Sequence, residues 1–357
     1  MRASPGDGVA QASFLIIRRD NIGDLVCTTA LLHALRERFN NAHIAVLVNS
    51  YNAAVLDRNP DVDAVHIYTK AKHRGTGQSI IGVYWDRLRL LLNLRRMRFD
   101  YAILAGSGYQ AYALRTAKLA RPRHIIGFVH DRNYTGAIDM PVWKDPEEFV
   151  HEVEVVQRLL APLGIRHPPS RLRVYPDPIE VAKVRDELRN GGVAPGNTVG
   201  LHISARTLDR RWPSDKFVAL VRRLHDRHGC NFLLFWSPGT EENPLHPGDD
   251  AMAKAIIEAC GDYPIHGYHT DRLDQLIAGL SVCDTVICSD GGAVHLAAAL
   301  GKKIVCFFGR ERPERWYPWQ TPHVLVRAAS RQVSDISVEE VIAAYKTLSS
   351  ATDSIRP

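Results

Sequence analysis

Ser289-Asp290-Gly291-Gly292-Ala293-Val294-His295-Leu296-Ala297-Ala298-Ala299-Leu300-Gly301 is the stretch from which the fold is read. Before it, Asp284-Thr285-Val286-Ile287-Cys288 is a short β-branched run that reads as a buried parallel strand. After the turn, the alanine-rich segment reads as a helix closed by Gly301. The turn carries an acid, two adjacent glycines and, four residues beyond Gly291, a histidine. Adjacent glycines let the backbone approach a ligand closely, and a helix start offers free N–H groups to phosphate. The turn is therefore a candidate diphosphate site. Gly291 and Gly292 would supply amides, Asp290 would hold or orient a polar ligand, and His295 would point back towards the same place. A histidine alone at a helix start is more often structural; in this setting function is the better explanation.

Strands alternate with helices on both sides of this turn. Upstream come strand Phe14–Arg18, a turn at Asp20–Gly23, a helix over Leu25–Phe39 and strand Ile44–Val48. A helix near Ala53–Arg58, strand Ala64–Ile67, a long helix over Ile80–Met97, strand Tyr101–Ala105 and a helix over His151–Leu163 follow. Pro168, Pro169, Pro176 and Pro178 mark a surface crossing or linker. A second alternating block contains strands Thr198–Ile203 and Asn231–Trp236, helices Ser214–His228, Asp250–Cys260 and Leu273–Ser281, and strand Lys303–Phe308. This is the signature of α/β chains with doubly wound parallel sheets. The expected division is a disordered tail over 1–12, a first domain over 13–176, a linker over 177–196 and a second domain over 197–335. A last segment, 336–357, carries a helix started by Ser337 with Glu339 and Glu340 in its first turn.

With 357 residues, 45% hydrophobic and 24% charged, the chain has room for two soluble domains of ordinary size. No apolar run approaches the roughly 20 residues of a membrane span. Phe14–Ile17 is too short for a secretory h-region, so the expected location is the cytoplasm. The six cysteines form no CxxC pair and read as buried free thiols rather than a zinc site. A net charge of +6 suits an anionic substrate or an anionic membrane surface.

Other polar clusters fall at strand ends, where ligands of open α/β sheets collect. Asp24 closes Arg18-Arg19-Asp20-Asn21-Ile22-Gly23-Asp24, a loop too poor in glycine for a dinucleotide fingerprint. By itself Asp24 reads as a helix-start acid favoured by the helix dipole; a carboxylate at this edge can also act as a general base. Arg206-Thr207-Leu208-Asp209-Arg210-Arg211-Trp212-Pro213 is either an exposed basic loop or a phosphate clamp, and the clustering favours the clamp slightly. Glu241 and Glu242 are solvated loop acids or partners of ribose hydroxyls, with equal weight. Asp61-Val62-Asp63 has metal-site spacing but reads as a turn entering a strand, and no other cluster has ligand spacing. Lys70, Lys72 and Arg74 precede an amphipathic helix bearing Arg95 and Arg96, and form a candidate contact for acceptor or membrane. A core helix with a solvated arginine face is the more ordinary account of that helix.

Taken together, these residues resemble glycosyltransferase family 9, the lipopolysaccharide heptosyltransferases. The likeness rests on Arg18–Thr29 with Gly23-Asp24, on Asn59–Asp63, on Arg210-Arg211-Trp212-Pro213, and on Asp290–Gly301 followed by Phe307-Phe308-Gly309 and Pro313-Glu314-Arg315-Trp316. His151 with Glu154 also fits, and the resemblance runs from about Phe14 to Leu348. It implies a GT-B fold of two Rossmann-like domains facing a central cleft, acceptor on the first and nucleotide sugar on the second. The final helix would then pack back on the first domain. The implied reaction is an inverting transfer of heptose from ADP-heptose to a lipid A–core acceptor at the inner face of the inner membrane. No metal and no cofactor take part.

In that scheme Asp24 matches the catalytic aspartate and takes the acceptor's proton. Arg210, the Gly291 and Gly292 amides and His295 stabilise the leaving diphosphate. Asp290 holds sugar hydroxyls or orders the turn, and Glu241 or Glu242 the ribose. Two departures stand out: arginine at 210 where the family commonly has lysine, and Arg310-Glu311-Arg312 where it often has a small hydroxyl residue. The alternatives are a nucleotide-sugar epimerase or hydrolase of the same fold, and a non-catalytic glycan- or nucleotide-binding protein.

Overall fold

The computed structural model describes residues 11–68, 80–145, 148–194, 196–241 and 248–353. The chain divides into two compact units, Met1–Arg171 and Leu172–Pro357. In the first, strands β1 (Ser13–Ile17), β2 (His43–Asn49), β3 (Ala64–Tyr68), β4 (Tyr101–Leu104), β5 (His124–Val129) and β6 (Met140–Trp143) form one sheet. Its order is β3-β2-β1-β4-β5-β6, and every pairing is parallel. Central strands such as Phe14–Ile17 are apolar at every position because helices cover both faces. Those helices are α1 (Ile22–Arg38), α2 (Ile80–Arg96), α3 (Ala111–Ala120) and α4 (Glu152–Gln157). On one face Leu94 of α2 and Ala113, Leu114 and Ala117 of α3 close over Leu15, Ile17, Leu47 and Leu104.

The second unit repeats the plan. After α5 (Pro178–Asn190) come β7 (Thr198–His202), α6 (Ser214–His228), β8 (Asn231–Trp236), α7 (Asp250–Ala259) and β9 (Ile265–His269). Next are α8 (Leu273–Val282), β10 (Thr285–Ser289), α9 (Gly292–Ala299), β11 (Lys303–Phe307), α10 (Pro313–Trp316), β12 (His323–Val326) and α11 (Val338–Asp353). The all-parallel order is β12-β11-β10-β7-β8-β9. In each sheet the strand order reverses once, between β1 and β4 and between β7 and β10. The carboxyl ends of those strands are the places where a doubly wound sheet opens a crevice for ligand.

Several expected boundaries move. Residues 1–10 of the expected tail lie outside the described residues. The segment expected as a linker, 177–196, holds α5. Pro178, taken there as a breaker, occupies the first helical position, where its missing N–H costs nothing, and Asp177 caps the helix by accepting from the Ile179 N–H at 2.8 Å. The final helix α11 packs on α6, β11 and β12 of its own unit through Val338, Val341, Ile342, Tyr345 and Leu348. Its start is the expected one: Ser337 Oγ accepts from the Glu340 N–H while Glu340 accepts from the Ser337 N–H at 2.7 Å. All six cysteines are free and buried.

Candidate active site

At the β1–β4 reversal the chain leaves β1 through Arg18, whose side chain is only 1% exposed. Its guanidinium donates from Nη2 to Asp24 Oδ1 at 2.8 Å and to Glu152 Oε1 at 2.7 Å, and from Nη1 to the Ala105 carbonyl. Asp20 approaches Nε at 3.5 Å. Burial by itself would lower the Arg18 pKa, but Glu152, Asp24 and Asp20 outweigh it and hold the group above its ordinary value. Asp24 is the third residue of α1, and its Oδ2 accepts from the Asn21 N–H at 3.0 Å. It therefore caps the helix and faces Arg18 at once, with a side chain 15% exposed. Glu152, fully buried at the start of α4, was not singled out from the sequence. Only the neighbouring capping pair, His151 with Glu154, signals that a helix begins there.

At the β7–β10 reversal, Arg210 ends a short 3-10 turn, Leu208–Arg210, after β7. Its Nη1 donates to Asp290 Oδ2 at 3.3 Å, and its Nη2 donates to Glu311 Oε1. Ser289 Oγ donates to the Arg210 carbonyl at 2.6 Å and fastens this turn to the end of β10. Burial pushes the Asp290 carboxyl up to about 6; Arg210 pulls it down and Glu311 pushes it further up. Gly291 is the N-cap of α9 in an extended conformation, φ 164°. A Cβ built there meets nothing closer than Ser289 O at 3.9 Å. Neither backbone strain nor packing calls for glycine at that position; its lack of a side chain leaves the helix start open. Gly292 opens α9. His295, in the first turn, is 3% exposed and meets Trp316 edge-on at 5.7 Å between ring centroids.

The remaining candidates are placed elsewhere. Glu241 is exposed and lies 3.8 Å from Arg211, not against Arg210. Arg211 forms a buried pair with Asp249 at 2.7 Å, and Asp249 accepts from Ser204 Oγ at 2.6 Å. Glu242, Lys70, Lys72 and Arg74 lie outside the described residues. Arg95 and Arg96 are exposed at the end of α2, on a helix that also presents Trp85, Leu88 and Leu92 to solvent. Asp61 and Asp63 are engaged by His33 and Arg36, at 3.1 and 2.6 Å. Among the described residues no group of three or more His, Cys, Asp or Glu is placed to hold a metal ion. Nor, among them, is any helix long and apolar enough to cross a membrane.

Two doubly wound α/β units, each with charged residues gathered where its strand order reverses, define the GT-B fold class. The chain belongs to glycosyltransferase family 9 (heptosyltransferase), whose family model matches residues 87–345. It is therefore a glycosyltransferase that draws on a nucleotide sugar. It is 26% identical over 350 residues to lipopolysaccharide heptosyltransferase 3 of Escherichia coli K12, covering 91% of this chain and 95% of that relative. The solved ADP-heptose lipopolysaccharide heptosyltransferase II of E. coli superposes with a TM-score of 0.75 at 19% identity, over 96% of this chain and 99% of that one. The E. coli heptosyltransferase WaaC, solved with ADP, gives 0.72 at 17% identity, over 94% and 99%.

Proposed function

We propose that the chain is a metal-independent, inverting heptosyltransferase that carries heptose from ADP-heptose to a lipopolysaccharide-core acceptor. The observation that carries this is the open N-terminus of α9 beside Arg210, at the β7–β10 reversal. Helix-start amides and a guanidinium together suit a diphosphate that gains charge as it leaves. The names of the E. coli relatives, lipopolysaccharide heptosyltransferases, support the choice of sugar and acceptor. The neighbour solved with ADP supports adenine as the donor's base.

Asp24 serves as general base in this scheme. It takes the proton of the acceptor hydroxyl as that oxygen attacks the anomeric carbon from the face opposite the diphosphate. The new carbon–oxygen bond forms while the bond to the diphosphate breaks, and the configuration inverts. Arg18 fixes the carboxylate through Oδ1 and the Asn21 N–H fixes it through Oδ2, so Asp24 is held in one orientation. Arg210, the Gly291 and Gly292 amides and His295 receive the leaving diphosphate. Glu241 or Glu242 is assigned to the ribose. The solvent-facing Trp85, Leu88 and Leu92 with Arg95 and Arg96 support peripheral contact with the anionic inner face of the membrane that holds the acceptor. No resident cofactor is used; the nucleotide sugar is a substrate.

The test is Asp24→Asn, assayed for transfer from ADP-heptose to an inner-core acceptor and, in parallel, for ADP binding by calorimetry. Transfer falls by about 10²- to 10⁴-fold while ADP affinity stays unchanged. Transfer at the wild-type rate overturns the general-base assignment.

A further inference from the structure

Arg210 is held by two carboxylates from two different elements, and the two are not alike. Asp290 follows β10 directly and is 9% exposed, whereas the Glu311 side chain is 40% exposed. Glu311 sits in the connection between β11 and α10, and the backbone of that connection is fastened. Arg327 donates from Nε to the Gly309 carbonyl at 2.9 Å and from Nη2 to the Glu311 carbonyl at 3.4 Å. A Cβ built at Gly309 would stand 3.3 Å from the Arg331 carbonyl and 3.9 Å from that of Asp209, so the connection lies against the turn that bears Arg210. What is left free to swing is the Glu311 side chain.

We propose that Glu311 is a placeholder for the donor's diphosphate. It occupies Nη2 of Arg210 in the empty enzyme, yields it to a phosphate oxygen when a nucleoside diphosphate binds, and takes it back as the nucleoside diphosphate leaves. This rests on Arg210 being a phosphate ligand, as set out above. Carboxylate and phosphate present the same kind of oxygen to a guanidinium, so one replaces the other without rearranging the arginine. An ion pair of this exposure is weak, so the exchange is easy. The displaced carboxylate stays close to an anionic ligand and repels it. Glu311 thus sets nucleotide affinity low and speeds product release. Its counterpart Asp290, buried and attached to the strand end, keeps Arg210 in position throughout the exchange.

The experiment is calorimetric titration of ADP into the full chain as wild type, Glu311→Gln, Arg210→Gln and the double variant. The expected result is ADP bound about three- to tenfold more tightly by Glu311→Gln, with that gain absent in the Arg210→Gln background. Glu311→Gln binding ADP no better than wild type, while Arg210→Gln binds it worse, overturns the placeholder and leaves the phosphate assignment standing. Undiminished ADP affinity in Arg210→Gln overturns the phosphate assignment and the placeholder with it.

Discussion

Arg210 and Glu311 stand 101 residues apart in the chain and share a hydrogen bond from Nη2 to Oε1. They lie in the two stretches where the residues differ from those the resemblance leads one to expect. The two departures are therefore one structural unit. A planar guanidinium presents two Nη groups and holds Asp290 and Glu311 at once; a lysine ammonium offers no such fork. Arg210→Lys is expected to loosen the link to Glu311 and to raise ADP affinity in the same direction as Glu311→Gln. Calorimetry on the three proteins checks this, and a Lys variant that binds ADP more weakly than wild type contradicts it.

The open start of α9 separates binding from folding. Gly291 is extended and has empty space where a Cβ would go, so Gly291→Ala should change stability by less than about 0.5 kcal/mol. In the proposed site the same methyl would stand where the amides meet phosphate, and ADP affinity should then fall about tenfold or more. Gly301 is the contrast: with φ 69° at the end of α9, Gly301→Ala should cost about 1 kcal/mol. Urea unfolding and ADP titration of both variants give the four numbers. A large stability loss at Gly291 would mean that the glycine serves the fold instead.

The buried centre around Arg18 makes a stability prediction. Glu152→Ala leaves a fully buried guanidinium short of one carboxylate, which costs about 3–5 kcal/mol. Asp186→Ala removes an exposed i,i+3 pair with Arg189 and should cost less than about 1 kcal/mol. Chemical denaturation of both variants measures the difference. Equal, small losses would show that the Arg18 cluster contributes little to stability.

Asp290 supplies a pH dependence. Burial holds its carboxyl up to about 6, above the ordinary aspartate value. The folded protein therefore keeps a proton that the unfolded chain releases near pH 4. The stability this confers is complete below about pH 4 and is lost as pH rises through about 6. Asp290→Asn has no such proton, so it should gain on the wild type across that window, by about 2–3 kcal/mol in all. A stability difference that stays flat from pH 4 to 7 contradicts the buried carboxyl.

Much of this architecture was legible because local and tertiary signals agree. Ser214–His228 and Asn231–Trp236 fall at their expected residues, since the first is amphipathic with a clear glycine stop and the second is apolar throughout. Weak or conflicting signals hid other elements. β6 is a four-residue edge strand with Pro141 in it, a residue that argues against a strand except at an edge. The helix expected over His151–Leu163 changes after Gln157 into a 3-10 turn containing Pro162, which cannot donate an α-helical hydrogen bond. At the two strand-order reversals, Asp24 in one unit and Arg210 and Asp290 in the other were visible because they stand after strand ends. Glu152 was not picked out, and Glu311 stood out only within Arg310-Glu311-Arg312, not as a partner of Arg210. Each does its work through an arginine more than a hundred residues distant, and no spacing rule reports that.

In the proposed reaction Arg210 and the α9 amides, in place of a cation, carry the charge of the departing diphosphate. Initial rates of heptose transfer from ADP-heptose, measured in excess EDTA for wild type and Arg210→Gln, test it most directly. The expected result is an undiminished wild-type rate in EDTA and a loss of about 10²-fold or more in Arg210→Gln. A wild-type rate abolished by EDTA and restored by added Mg²⁺ or Mn²⁺ would contradict it.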